Sequence, residues 1–433
     1  MKKFFLSFVV ISFVLLNLSC KKSPTEPNAT ATITVEDVSC TEAWVKIASA
    51  NIQIPNTLTL FVNEKVDQNI TLVSSDTVLY VDSLLPNQSY KIKATLTTNN
   101  RQQTTNEVIA NTMDTTSHNF TWQTYTFGEV GSSTLYDVAI IDGNNIWAVG
   151  EIYMKDSLGN PDPHANNAVH WDGQKWELKK IMFYIDQDQP SNGEMASGCQ
   201  ALFLFADNTL AISSNVQTYI LKPDGSSKII KMGFQWKDRF TINKMWGTNS
   251  SDLYAVGNGG NIAHYDGKNW QKIESGTTSI INDVWGIKDK ADNLILYCPV
   301  SSFFEPGDKK ILKITNNKVD SFFWNKDIRL YSAWTAKENF LFVCGEGAFE
   351  NKFGIWNQIT LPEVGMNSVR GNNINDIFIV GDYGFISHFN GINWKVMSSP
   401  NNIGYSKVTI KNDVVVICGQ NQGHGIIEIG KRN

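Results

Sequence analysis

The sequence predicts an all-β protein in which a small β-sandwich precedes a larger array of repeated four-stranded sheets. Asn, Thr and Ser are abundant beside Lys and Glu, a bias that favours strands and turns over helices. Short alternating apolar runs fill residues 30–113. From residue 119 onward a Trp-containing segment recurs, as VHWDGQKW (169–176), AHYDGKNW (263–270) and SHFNGINW (387–394).

The first residues have the pattern of an export signal. Lys2 and Lys3 precede an apolar run over 4–18, which is short for a membrane-spanning helix. The segment LNLSC that ends at Cys20 resembles the lipobox of bacterial lipoproteins, in which the cysteine becomes the lipidated first residue. This resemblance implies a signal peptide over 1–20, a polar tether over 21–29 and a lipid anchor in the bacterial envelope, expected in the outer membrane with its face left open. The alternative is an ordinary secretory signal with a chance cysteine.

Charge and cysteine content narrow the class of protein. The chain of 433 residues has 37 Lys and Arg against 42 Asp and Glu, a net charge of −5 that argues against a nucleic-acid partner. Five cysteines remain after Cys20, and an odd number is a poor disulfide framework. Cys298, Cys344 and Cys418 lie in apolar strands, so we expect buried free thiols.

Residues 30–113 are expected to form the sandwich. The segment LLPNQSYKIKA (84–94) and the apolar alternation around Trp44 resemble the fibronectin type III family, which has a leucine–proline turn before a tyrosine-bearing strand. The resemblance implies a seven-stranded immunoglobulin-like sandwich. We expect it to act as a spacer between the membrane and the larger domain.

Residues 119–433 are expected to form a seven-bladed β-propeller. Each repeat has an apolar strand, a second strand that ends in glycine, a third strand, an Asp-Gly or Asn-Gly turn and a fourth strand, which is typical of propeller blades. The last repeat lacks its fourth strand, and NFTWQTYT (119–126) is expected to supply it. Six or eight blades are the alternatives. The repeats resemble Trp-rich propeller repeats of secreted bacterial proteins, which implies a fold and not an activity.

The candidate binding residues lie in insertions that interrupt the repeats. Loops over 151–167, 183–197 and 301–310 connect second to third strands or one blade to the next, and these connections emerge on one face of a propeller. Aromatic and acidic side chains there suit a sugar or a peptide. The proposed contacts are Tyr153, Asp162, Tyr184, Phe303 and Phe304, and Phe183 is expected to be exposed beside them. The alternative is that these loops are solvated and bind nothing.

Weaker sequence patterns concern a metal site and the residues that line the central channel. Asp186 and Asp188 carry a weak Ca²⁺ signal without a full ligand series, and no other cofactor is expected. Three histidines recur at one position of the repeat, which indicates packing rather than a metal site: His170, His264 and His388. Four residues share a position on the first strand, where they pack in the core or line the channel: Trp246, Trp285, Trp334 and Arg370.

The sequence therefore favours non-catalytic binding of an extracellular glycan or protein by the loop face. It contains no nucleophile elbow, HExxH motif or phosphate-binding loop. Two alternatives stay open. One is an envelope assembly scaffold, and the other is a propeller glycoside hydrolase or lyase whose carboxylates come together from several loops.

Overall fold

The computed structural model describes residues 29–98, 101–186, 188–232, 240–302, 307–397 and 402–433. The chain forms two compact units. In its described residues the small unit is built from 29–38, Ala43–Asp82 and Ser89–Asn111, and the large unit from Ser39–Glu42, Ser83–Gln88 and Thr112–Asn433. Cys20, Phe303 and Phe304 lie outside the described residues. In the described part of the chain, no helix has the length and apolar content needed to cross a bilayer.

The small unit consists of two antiparallel sheets. One has three strands in the order Thr30–Val38, Ala43–Ala50 and Asp76–Val81. The other has the strands Lys65–Leu72, Asn56–Val62, Ser89–Thr98 and Arg101–Thr104, with Val108–Asn111 also paired to Ser89–Thr98. Trp44 is buried and lies 5.7 Å from Tyr80 between ring centroids.

Seven four-stranded antiparallel sheets make up the described part of the large unit, and in each the strands are paired in simple order. Sheet 1 contains Thr134–Asp142, Asn145–Ile152, Asn166–Trp171 and Trp176–Lys179. Sheet 2 contains Ala201–Leu204, Leu210–Ser214, Gln217–Leu221 and Ser227–Lys231. Sheet 3 contains Ile242–Asn249, Asp252–Gly257, Ile262–Tyr265 and Trp270–Ile273. Sheet 4 contains Trp285–Lys288, Leu294–Val300, Lys310–Thr315 and Lys318–Phe322.

The remaining sheets follow the same pattern. Sheet 5 contains Leu330–Trp334, Phe340–Gly345, Ala348–Lys352 and Ile355–Ile359. Sheet 6 contains Met366–Asn373, Asp376–Gly381, Ile386–Phe389 and Trp394–Val396. Sheet 7 contains Gly404–Lys411, Val414–Asn421, His424–Arg432 and Phe120–Phe127. A small hairpin pairs Met182–Tyr184 with Glu194–Ala196, and three short 3₁₀ helices are described: Pro190–Asn192, Asn258–Gly260 and Asp382–Gly384.

The expected ring closure is confirmed. Phe120–Phe127 pairs along its whole length with His424–Arg432 and becomes the fourth strand of sheet 7. The first strand of each sheet contacts the first strand of the next, and the first strand of sheet 7 contacts that of sheet 1. The first strands therefore surround a central channel, which is the arrangement of a β-propeller.

The core lies between neighbouring sheets. Leu135 and Ile146 of sheet 1 pack with Val416 and Ile427 of sheet 7 in one buried cluster, and similar clusters join most other neighbours. The described cysteines are free and buried, as expected. Burial raises the pKa of the Cys298 thiol, so this group behaves as a small apolar side chain.

Candidate ligand-binding site

A β-bulge recurs near the start of the first strands. In five sheets the register with the second strand skips one residue at the same place. The bulged residues are Tyr136, Asn243, Tyr331, Asn367 and Ser406. A bulge bends its strand and re-aims the side chain of the extra residue. These five side chains all line one cavity at the mouth of the channel.

This cavity receives one polar side chain from every sheet. Gln200 and Asn282 hold the equivalent positions in sheets 2 and 4 and also line it, so the set of seven is called the entrance ring. The cavity has a volume of about 1010 Å³. Its rim comes from loops that connect second to third strands or one sheet to the next: Glu346, Leu361–Gly365, Asp382 and Tyr383. The cavity therefore opens on the face on which the sequence places ligand binding.

Three entrance-ring asparagines connect each sheet to the next. The Asn243 amide nitrogen donates to the carbonyl of Ile281 at 3.1 Å. The amide nitrogen of Asn282 donates to the carbonyl of Leu330 at 2.9 Å, and that of Asn367 donates to the carbonyl of Tyr405 at 2.9 Å. Each bond satisfies a backbone acceptor of the neighbouring sheet, where an unpaired carbonyl would cost free energy.

The same bonds determine what these asparagines offer a ligand. Since the amide nitrogens of Asn243, Asn282 and Asn367 donate to the protein, their Oδ1 atoms are what remains for a ligand. Among the described contacts none of these oxygens accepts a hydrogen bond, and none is buried without a partner. Three sheets thus present accessible acceptors to one cavity, which suits a ligand rich in N–H or O–H groups.

The rim carries charges of both signs. Arg329 pairs with Glu346 at 2.9 Å, and Asp382 accepts from the amide of Asn367 at 3.0 Å. Burial, and then the nearby Glu346 carboxylate, raise the pKa of Tyr331, so its phenol stays protonated and remains a donor. Tyr383 is 66% exposed beside Asp382 and offers an aromatic surface at the rim.

A layer of charged side chains crosses the channel beneath the entrance ring. This charged layer consists of Asp137, Lys244, Asp283, Arg370 and Lys407. Lys244 pairs with Asp137 at 2.5 Å, and Arg370 makes two hydrogen bonds to Asp283 at 2.9 and 2.8 Å. Burial lowers the pKa of Lys244, an effect that Asp137 partly offsets. Burial opposes ionisation of Asp283, but the charges of Arg370 and Lys407 outweigh it and hold the pKa of that carboxyl below its usual value.

The charged layer separates two cavities. On its far side a smaller space of about 380 Å³ is lined by Asp137, Lys244 and Arg370 together with Phe203 and Phe205. Lys407 lines this space and the entrance cavity. The entrance cavity thus has a charged floor, and the ion pairs of that floor fix the spacing of four sheets.

The three predicted contacts that the structure describes lie on the insertions around sheets 1 and 2, outside the entrance cavity. The Tyr153 hydroxyl donates to Glu151 at 3.1 Å, and burial raises the pKa of this tyrosine. Asp162 pairs with Lys180 at 2.9 Å, which lowers the pKa of that carboxyl. The ring of Tyr184 lies under the Lys231 ammonium at 4.2 Å. Each residue thus has its own partner, and the three do not form one described site.

Two further loop expectations have clear outcomes. Phe183 was expected to be exposed, and this is wrong, because its strand in the small hairpin turns the ring into the core between sheets 1 and 2. The Asp186 carboxylate accepts the backbone N–H of Asp188 at 2.9 Å, which is a turn contact. Among the described residues no group of three or more His, Cys, Asp and Glu side chains is placed to hold a metal ion.

The recurring histidines serve packing. His170, His264 and His388 each bond through Nε2 to the first residue of the second strand in their own sheet, at 2.7–3.0 Å. Each ring also stacks on an aromatic ring of that strand, with centroids 4.2–4.5 Å apart. The shared first-strand position combines both expected roles, since Trp334 is buried and Arg370 stacks over Trp285 at 4.7 Å in the channel.

The sequence reasoning missed the entrance ring, although a signal was present. Asn is the second residue of the related segments INKM (242–245), INDV (281–284) and MNSV (366–369). A polar residue that recurs at the start of an otherwise apolar first strand indicates a shared environment for those side chains.

No protein-family model and no curated protein matches this chain. Solved β-propeller structures are similar to it at low identity. YCF48 bound to D1 peptide is 15% identical, covering 73% of this chain and 97% of that chain with a TM-score of 0.49. YCF48 from Cyanidioschyzon merolae is 11% identical (72% and 98%, TM-score 0.49), and BamB from Moraxella catarrhalis is 9% identical (70% and 99%, TM-score 0.38). Such a likeness concerns the fold and not the ligand.

Proposed function

We propose that this protein is a non-catalytic binding protein of a bacterial envelope, anchored by lipid at Cys20, whose entrance cavity holds a segment of a partner polypeptide. A fibronectin type III-like sandwich holds a seven-bladed propeller away from the membrane. The observation that carries the proposal is the entrance cavity, to which each of the seven sheets contributes one polar side chain. A ring of polar side chains is not needed to close a propeller, because apolar contacts between the sheets already do so.

The chemistry of the cavity favours a polypeptide. The accessible oxygens of Asn243, Asn282 and Asn367 suit main-chain N–H groups. The rim has the paired Arg329 and Glu346 and the exposed Glu363, and the floor has Lys407, so side chains of either sign find a complement. A neutral glycan would cover Lys407 without supplying a counter-charge, which costs free energy.

A glycan is the second candidate, and Tyr383 is the observation that favours it. This ring is 66% exposed on the rim and lies beside the carboxylate of Asp382. An exposed aromatic ring next to a hydrogen-bonding group is a common platform for sugars. Tyr153 and Tyr184 would extend this surface outward as further contacts of the same loop face.

Catalysis has less support from the geometry. Glu346 pairs with Arg329 and Asp382 bonds to Asn367, so two of the three rim carboxylates are held by basic or amide groups, and the third, Glu363, is exposed. A glycosidase needs one carboxyl that stays protonated near neutral pH and a second that is free to act as base or nucleophile. An assembly scaffold is a form of the same proposal, in which the bound polypeptide belongs to the envelope machinery.

The test uses the full chain in a non-ionic detergent and random heptapeptides that carry a benzophenone photocrosslinker. We expect crosslinks to map to Tyr331 and Tyr383 at the entrance cavity. Tyr383→Ala should weaken binding, while Ile355→Ala serves as the matched control because Ile355 is 67% exposed at the opposite end of sheet 5. Crosslinks scattered over the surface would contradict the proposal. Retardation in polysaccharide gels that is lost in Tyr383→Ala would favour the glycan.

A further inference from the structure

The residue directly after each entrance-ring residue follows a rule. These residues are Asp137, Ala201, Lys244, Asp283, Ser332, Ser368 and Lys407 in sheets 1 to 7. In several sheets the side chain at this position accepts the backbone N–H of the following position in the next sheet. Asp137 accepts from Leu202 at 2.8 Å, and Asp283 accepts from Ala333 at 3.2 Å. Ser332 and Ser368 do the same for sheets 6 and 7, at 3.2 and 3.3 Å. These bonds satisfy the inward edge of each first strand, which has no further strand to pair with.

Two lysines cannot follow this rule, because an ammonium has no acceptor. They are Lys244 in sheet 3 and Lys407 in sheet 7. In the sheet that follows each lysine, the backbone N–H that would have donated to that side chain donates instead to an aspartate. This aspartate is the preceding residue of the same chain segment. Val284 donates to Asp283 and Val138 to Asp137, each at 3.0 Å. The chain thus accommodates both lysines with a matched change in the next sheet.

The two lysines differ in what they contact. Lys244 pairs with Asp137 and also donates to the carbonyl of Leu202 at 3.2 Å. Lys407 makes no ion pair and no hydrogen bond through its ammonium among the described contacts, although it lines the entrance cavity. With Asp283 held by Arg370, the charged layer contains three cations and two carboxylates. Its excess positive charge is therefore at Lys407.

We infer that Lys407 is an anion subsite, and that the polypeptide bound in the entrance cavity places one carboxylate on this ammonium. The inference rests on the proposed function and specifies the ligand. A single carboxylate matches the excess of one positive charge, and the oxygens of Asn282 and Asn367 above it accept the main-chain N–H groups beside that carboxylate. A dianion such as phosphate would reverse the sign of the layer.

The experiment compares peptide pools that differ only at the anionic group. Fluorescein-labelled heptapeptide pools carry Asp or Glu at random positions, or Asn and Gln instead, and each pool is made with a free or an amidated C-terminus. Fluorescence anisotropy with the full chain should show tighter binding of a carboxylate-bearing pool, and the two C-terminal forms show whether that group is a side chain or a terminus. Lys407→Met should weaken this binding by at least about tenfold, and Lys407→Arg should retain most of it. Lys411→Met, at the far end of the same strand, is the matched control.

A second readout separates failure of the subsite from failure of the proposed function. Reductive ¹³C-methylation labels the lysine side chains for NMR, and the Lys407 signal is assigned by its loss in Lys407→Met. The chemical shift of this signal is then followed as succinate is added at constant ionic strength. Peptide binding that is equal for all pools and unchanged in Lys407→Met would overturn the subsite and leave the proposed function standing. A succinate shift at Lys407 without peptide binding would support the subsite and contradict the proposed function. Binding of polygalacturonate but of no peptide would overturn the choice of polypeptide, and no shift and no binding would overturn both.

Discussion

The guanidinium of Arg370 and the carboxylate of Asp283 form a two-bond ion pair inside the channel, although 87 residues separate them in the chain. Asp283 is fully buried, and Arg370 is nearly so. Ser332 donates to the same carboxylate at 2.6 Å and accepts from Arg370 at 3.0 Å. This network connects sheets 4, 5 and 6 at the level of the charged layer.

Removing the arginine alone should be costly. Arg370→Met leaves the Asp283 carboxylate buried without its cation, and we expect the free energy of unfolding to fall by about 3–5 kcal/mol. Urea denaturation followed by tryptophan fluorescence measures this change. The double variant Arg370→Met with Asp283→Leu should recover most of the loss, because neither member of this ion pair is then left without the other. A double variant as unstable as the single one would contradict this account of the pair.

The ring closure should weaken at acidic pH. Nδ1 of His118 lies 2.7 Å from Nδ1 of His388. The other ring nitrogen of His388, Nε2, donates to Asp376. Asp376 also accepts two hydrogen bonds from Arg432. Facing Nδ1 atoms need one donor and one acceptor, so protonation of both rings would break the contact. Burial lowers the pKa of His388 and of His118.

The sign of the pH effect follows from these lowered pKa values. Below pH 6.5 the unfolded chain binds protons that the folded chain excludes, so the stability present above that pH is lost as the pH falls further. Unfolding free energies measured between pH 7.5 and 5 should decrease, and the slope should be shallower in His388→Gln. His424→Gln, an exposed position at the start of the same sheet-7 strand that contains Arg432, is the control. Equal slopes in both variants would contradict the assignment.

The entrance-ring asparagines should stabilise the propeller as well as line the cavity. Asn282→Ala removes amide bonds to Ser301 and Leu330 and leaves their carbonyls without that donor. We expect a loss of about 1–3 kcal/mol in unfolding free energy. Ser406→Ala changes another entrance-ring residue that makes no such described bond, and it should stay within about 0.5 kcal/mol of the parent. Equal losses would show that the bridging bond is not the cause.

The repeat pattern predicted the sheets and their closure because those depend on local sequence. The Trp-containing fourth strands and the Asp-Gly turns mark each sheet separately, and NFTWQTYT (119–126) was left without partners of its own. The structure places Trp122 opposite Gly430, as the fourth strand of sheet 7 requires. The fibronectin-like resemblance and the domain boundaries remain predictions.

The candidate site was harder to predict because it depends on bulges and on distant pairs. A bulge interrupts the alternation of inward and outward side chains, so periodicity does not show that Asn367 lines the channel mouth. The pairing of Asp137 with Lys244 spans 107 residues and has no local signal. Phe183 was misplaced for a related reason, since a long insertion folded into a hairpin with its own buried side.

In five sheets a glycine at or near the end of the second strand has a steric role that can be tested. A Cβ at Gly381 would overlap the carbonyl oxygen of Gly365, and Gly150, Gly257, Gly345 and Gly419 have the equivalent contact. Gly381 has a φ of −171°, so the missing side chain rather than the backbone angle is what the site needs. Gly381→Ala should cost about 1–3 kcal/mol or more and disturb the bulge that positions Asn367. Gly143→Ala, whose Cβ would meet only Val414 at 3.7 Å, should cost little, and similar losses would contradict the steric account.

The two lysines of the charged layer should respond differently to the same substitution. Lys244→Met leaves the buried carboxylate of Asp137 without its partner, so we expect the free energy of unfolding to fall by about 3 kcal/mol. Lys407→Met removes a cation that makes no described ion pair and that attracts Asp283 but repels Lys244, so these effects oppose each other and we expect little change in stability. Urea denaturation at low salt measures the unfolding free energy of both variants, because urea is uncharged and charge effects are then least screened. If Lys407→Met were as destabilising as Lys244→Met, Lys407 would be a structural member of the layer, and its availability to a ligand carboxylate would be lost.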